Sequence, residues 1–83
     1  MPAFDVVNDA HLNGFYITFK NGYTVSVQFG RYNYSDQGNT AEIAAFDRDG
    51  NWYAPWKRDT QDDVKGYATP EEVADFIYEV SQL

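Results

Sequence analysis

Residues 69–83 admit little besides a helix with one buried side, and a chain carrying such a side must supply a second layer to cover it. Thr69 is placed to N-cap, Pro70 takes the first helical position, where its missing N–H costs nothing, and Glu72 completes a Thr-x-x-Glu capping box. Val73, Phe76, Ile77, Val80 and Leu83 recur at i, i+3, i+4, i+7 and i+10, which lines them along one side of an α-helix. Glu71, Asp75 and Glu79 form an i, i+4, i+8 row on the other side, with Glu72 beside it, and no Lys or Arg follows Lys65. Glu71 and Glu72 suit the positive end of the helix dipole, whereas Glu79 lies near the negative end, where an acid costs about 0.3–1 kcal/mol. Two readings of the row stay open: a solvated face that keeps the chain soluble, and a contact surface for a basic partner.

The covering layer is read from alternation. Phe15, Ile17 and Phe19 alternate with polar neighbours, as do Tyr23, Val25, Val27 and Phe29, and Asn21-Gly22 lies between the two runs. A two-residue Asn-Gly loop would place the two apolar sets on opposite faces of the ribbon. A three-residue loop, Lys20-Asn21-Gly22 with Gly22 left-handed, instead pairs Phe19 with Tyr23, Ile17 with Val25 and Phe15 with Val27. A second hairpin is expected from Glu42 to about Trp56 around Arg48-Asp49-Gly50, with Ala44 and Phe46 blurring the alternation so that both faces are partly covered, and with Pro55 marking a short or edge strand. Ala3 to Val7 reads as a short first strand, while residues 31–40 and 57–65 lack a period and read as loops. The expected fold is therefore a single α+β domain over residues 1–83. It comprises an antiparallel sheet of four strands, give or take one, with one C-terminal amphipathic helix packed on one face.

Size and charge then narrow the function. A chain of 83 residues buries roughly 60% of its unfolded surface and has little room for a deep cleft beside its core. Thirteen acids against six bases give a formal charge of −7, which disfavours nucleic acid and anionic membranes and favours a basic protein or a cation. Cysteine is absent, so the fold holds by packing, as suits a reducing cytoplasm. Met-Pro-Ala-Phe-Asp shows neither the basic nor the apolar region of a signal peptide, and no apolar run approaches the ~18 residues of a membrane span. A cytoplasmic location is the expectation.

Catalytic and cofactor patterns are thin. Asp47, Asp49 and Asn51 imitate the opening of a calcium loop, but Trp52 stands where glycine is required and Arg58 where a bidentate glutamate belongs. Asp-Arg-Asp-Gly-Asn is ordinary turn chemistry. His11 is the sole histidine, which leaves no standard zinc set and no Cys–His pair, and its neighbours carry no triad motif. No enzyme, metal or cofactor is expected. The remaining candidates are aromatic and basic. Tyr32, Tyr34 and Trp56 are of the residue types that anchor protein interfaces, with Glu71, Asp75 and Glu79 steering the approach. Alternatively, Arg31, Tyr32, Tyr34 and Lys57 suit a nucleotide-like ligand, a reading that calls for a homo-oligomer to enclose it. Against both stands the plain expectation that many of the aromatics pack in the core.

The segments Asn21-Gly-Tyr-Thr-Val-Ser-Val-Gln-Phe-Gly30, Asn33-Tyr34, Ala41-Glu-Ile-Ala, Asp49-Gly-Asn-Trp52 and Gly66-Tyr-Ala-Thr-Pro-Glu-Glu-Val-Ala-Asp75 together resemble short uncharacterised proteins encoded by tailed bacteriophages. That family has no assigned activity, so it carries over no functional residue. The resemblance implies a context: small acidic phage proteins often bind and disable a host factor, defence proteins included. The leading expectation is thus a stoichiometric inhibitor or modulator of a host protein with a basic surface. A nucleotide sponge and a minor virion structural or assembly factor are its rivals.

Overall fold

A computed structural model describes residues 3–8, 12–30 and 40–83. Five strands, β1 (Ala3–Asn8), β2 (Leu12–Thr18), β3 (Thr24–Gly30), β4 (Ala41–Phe46) and β5 (Lys65–Ala68), follow one another in chain order across a single antiparallel sheet. A short helix, α1 (Lys57–Thr60), precedes β5, and the long helix α2 (Pro70–Ser81) follows it and lies over β3, β4 and β5. The architecture is the expected α+β sheet with a C-terminal helix, at the upper end of the expected strand count.

The β2–β3 register follows from side-chain parity. Ile17 faces Val25 and Phe15 faces Val27. The three-residue loop closes with Phe19 N donating to Tyr23 O at 2.8 Å and Gly22 N donating to Phe19 O at 3.0 Å. Gly22 adopts φ +94°, a left-handed conformation that L side chains resist. This register sends Val25 and Val27 to the helix face, where they join Ile43, Ala45, Phe76 and Val80 in a fully buried core. Ala44, on the other face of β4, is 6% exposed, so that strand is covered on both sides.

The helix begins as its sequence requires. Thr69 Oγ1 accepts from Glu72 N at 3.2 Å and Glu72 Oε1 accepts from Thr69 N at 3.0 Å, with Pro70 in the first turn. Phe76 and Val80 are buried, Val73 and Ile77 half-buried, and Glu71, Asp75 and Glu79 exposed. The far end holds an arrangement with no local signature. Asn21 Nδ2, from the β2–β3 turn, donates to Val80 O at 2.9 Å and to Leu83 O at 3.1 Å. It thereby adds a side-chain donor to carbonyls of the last turn, where Val80 O also accepts from Leu83 N at 3.2 Å. Asn21 Oδ1 meanwhile accepts from Tyr23 N at 3.0 Å, so one amide both shapes the turn and clasps the helix.

Two expectations are corrected between β4 and α2. The expected second hairpin, Glu42 to about Trp56, closes its turn as anticipated, with Asp47 N donating to Asn51 O at 2.9 Å. Beyond the turn the returning arm is reduced to a single bridge, Phe46 to Trp52. Pro55 offers no N–H for a ladder, and Tyr53 and Trp56 are drawn against Phe76. Residues 57–65, expected as a loop, instead contain α1 and the start of β5, and it is β5 that pairs with β4. That pairing is irregular: Ala41 meets Ala68 and Ile43 meets Lys65, so one extra residue bulges on β5. Tyr67 in the bulge has φ 56°.

Replacing Asn21 by alanine is expected to lower stability by about 1 kcal/mol, equivalent to a fall of about 4–8 °C in Tm for a domain of this size. Thermal melts followed by circular dichroism check this, and an unchanged Tm would show that water serves the helix end equally well.

Candidate functional site

The acidic side of α2 borders a shallow cleft of about 200 Å3. Glu72, Asp75 and Glu79 stand at i, i+3 and i+7 on its helical wall, Trp56 and Phe76 supply apolar surface, and Lys65 lies at the rim. The cleft exists because four rings pack in sequence beneath the helix. Tyr23 meets Tyr53 edge-on with centroids 6.2 Å apart, Tyr53 stacks on Phe76 at 6.2 Å, and Trp56 tilts against Phe76 at 4.9 Å. Contacts of this kind add about 0.5–1.5 kcal/mol each beyond area burial. They tie the stretch that follows the β4 turn to the helix without any strand pairing.

Each carboxylate at the cleft has a distinct surrounding. Glu72 caps the helix and lies 3.3 Å from Lys65 Nζ. The backbone N–H of Thr69 and then the Lys65 ammonium hold its carboxyl below the ordinary glutamate range. Glu79 accepts a short hydrogen bond from the Tyr53 hydroxyl, which offsets the cost of an acid near the negative helix end. That bond, followed by burial, pushes the Tyr53 hydroxyl up to about 12. Asp75 makes no ion pair among the described residues. The indole N–H of Trp56 is buried without a hydrogen-bond partner, an arrangement that costs about 1–3 kcal/mol.

The structure regroups the residues expected from sequence. Asp75 and Glu79 share the cleft with Trp56, joined by Glu72, while Glu71 is exposed but does not line it. Trp56 is half-buried and forms a wall instead of projecting as an anchor; the more exposed indole is Trp52, at 51%. Lys57 is exposed on α1 and ion-paired to Asp63 at 2.9 Å. Arg31, Tyr32 and Tyr34 lie outside the described residues, as does His11. Sequence reasoning missed the parts played by Tyr53 and Lys65, which reach the helix only through the tertiary fold. Glu72, Asp75, Phe76 and Glu79 could have been grouped by their i, i+3, i+4, i+7 spacing.

Asp47 is a turn residue. Its Oδ1 accepts from Asp49 N and from Asn51 N, each at 2.9 Å, and its Oδ2 accepts from Asn51 Nδ2 at 3.2 Å. The backbone N–H of Asn51 is the chief cause of its lowered pKa. Among the described residues no group of three or more His, Cys, Asp or Glu is placed to hold a metal ion. Among them, too, no helix is long and apolar enough to cross a membrane.

No family model, curated protein or solved structure matches the chain. The functional reading accordingly rests on the geometry of the cleft and on the charge around it.

The Tyr53–Glu79 contact has a pH signature. The folded pKa of Tyr53 is raised above the ordinary 10.0, so its contribution to stability is fully present below pH 10 and is lost as pH climbs through about 12. Ultraviolet titration of tyrosinate should show one late-titrating phenol that disappears in Tyr53→Phe. Identical titration curves for the two proteins would contradict the contact.

Proposed function

We propose that this chain is a non-enzymatic, stoichiometric binding protein that occupies a basic surface on another protein, with the cleft between α2 and Trp56 as the centre of its contact. The observation that carries the reading is the one-sided charge of α2: its solvent face presents Glu71, Glu72, Asp75 and Glu79, and the helix contains no cation. Beside those acids lies the half-buried indole of Trp56, so a lysine or arginine entering the cleft would meet carboxylates and an aromatic ring together. The acids would steer association, and the desolvated aromatic floor would slow dissociation. If the partner ordinarily binds nucleic acid, the carboxylates would stand in for phosphates. The resemblance to short tailed-phage proteins supports taking the proposed partner to be a host protein, defence factors included, met in the host cytoplasm. Lys57, one of the residues suited to a nucleotide ligand, is ion-paired to Asp63, and Arg31, Tyr32 and Tyr34 lie outside the described residues, so no described geometry favours the sponge reading.

The test is affinity capture from the host lysate with wild-type protein, with Asp75→Lys/Glu79→Lys, and with Glu71→Lys as a control outside the cleft. Retention of a basic protein should fall tenfold or more with the double variant and with 0.5 M salt, which screens exposed charge pairs, and only about two- to threefold with Glu71→Lys, because Glu71 lies outside the cleft. Retention indifferent to both the double variant and the salt would remove the acidic face from the mechanism.

A further inference from the structure

The two edges of the sheet are built differently. β5 is short, bulged and twisted at Tyr67, features that blunt an edge against further pairing. β1 has none of these protections. It runs regularly for six residues in unbroken register with β2, from Ala3 opposite Thr18 to Asn8 opposite Asn13. No described strand pairs with its outer side. The strand contains neither proline nor lysine, and Asp5 is its sole charge. Its helix-side positions carry Phe4 and Val6, which are 75% and 76% exposed because α2 stops at β3.

The charge distribution leaves this edge open to a like-charged copy. Asp5 and Lys20 are the only charged residues among those described in β1–β3 and their turn, and every other described acid lies at β4 or beyond. Three strand spacings of about 4.8 Å separate β1 from β4. That exceeds the Debye length of about 8 Å at physiological salt, so the described acids at β4 and beyond are largely screened at this edge.

We infer that β1 is a self-association edge, which pairs antiparallel with β1 of a second copy about a twofold axis beside Val6. An outer row of backbone N–H and C=O groups is satisfied by another strand, and a second copy of β1 has matching length and the same alternation. The axis beside Val6 sets Val6 against its own copy, Phe4 against Asn8 and Asp5 against Val7. Residues of equal parity then face each other, so both Phe4 and both Val6 residues fall on one face of a continuous ten-stranded sheet. An axis beside Asp5 would set two carboxylates directly opposite one another, and an axis beside Phe4 would leave fewer residues paired. A strand pair of this length buries well under the ~800 Å2 per partner of a standard interface. The dimer is consequently weak, assembling as concentration rises through about 10–1000 µM, and it leaves the acidic cleft of each copy facing solvent.

Sedimentation equilibrium across that range tests the inference. The mass should rise from the 9.5 kDa of the monomer toward twice that value, and Val6→Lys should hold the protein at monomer mass without shifting its thermal melt, since Val6 is exposed. Because the chain has no cysteine, single-cysteine variants locate the contact. Under mild oxidation Val6→Cys should cross-link to a dimer, whereas Tyr78→Cys, on the exposed side of α2, should not. A monomer at 1 mM, a dimer that survives Val6→Lys, or equal cross-linking at residues 6 and 78 would each overturn it.

Discussion

The packing of Phe76 and Val80 onto the inner face of the sheet is the contact on which the rest of the molecule depends. Both residues are buried in one cluster with Val25, Val27, Ile43 and Ala45, and that cluster fixes the height and azimuth of α2. From this single placement follow the clasp by Asn21 at one end, the reach of Tyr53 to Glu79 on the outer flank, and the cleft beside Trp56. Truncating Phe76 would remove about 3–5 kcal/mol of packing and with it the surface on which both Tyr53 and Trp56 rest. Fold and candidate site are not separable at this residue.

The sheet divides the surface into two chemical territories. The β4–α2 side gathers nearly all the described carboxylates, while the described residues of β1–β3 and their turn carry only Asp5 and Lys20 as charged groups and expose Phe4 and Val6. A small domain cannot cover all its apolar area, and exposed apolar residues are ordinary when scattered. Here they line one regular edge, the one farther from the helix and its acids. The division lets one 83-residue chain present two kinds of contact, charge-guided on one side and backbone-guided on the other, without either obstructing its neighbour.

What was legible in the sequence was what short-range rules govern. The capping box at Thr69, the apolar stripe of α2 and the three-residue loop with Gly22 left-handed all depend on residues within one turn or one ribbon, and all three are present in the structure. The failures arose where a distant side chain competes with local pattern. Residues up to about Trp56 read as the returning arm of a hairpin, yet the rings of Tyr53 and Trp56 are taken up by Phe76, far along the chain, and the strand dissolves into one bridge. β5 was missed because Lys-Gly-Tyr-Ala has no alternation of its own and pairs through a bulge. At the site, the acids were visible as a row, but their division into a cleft-lining set and an outlying Glu71 required knowing which flank of the helix the segment 53–56 covers.

The four-ring chain also makes the molecule its own optical probe. Its two tryptophans occupy opposite environments: Trp56 is held among Phe76 and its neighbours at the wall of the cleft, and Trp52 stands half in water against Phe46. Their emission should therefore separate into a blue and a red component. Whatever enters the cleft perturbs the first and spares the second, so occupancy of that surface registers as a change of colour that no dye or label has to supply.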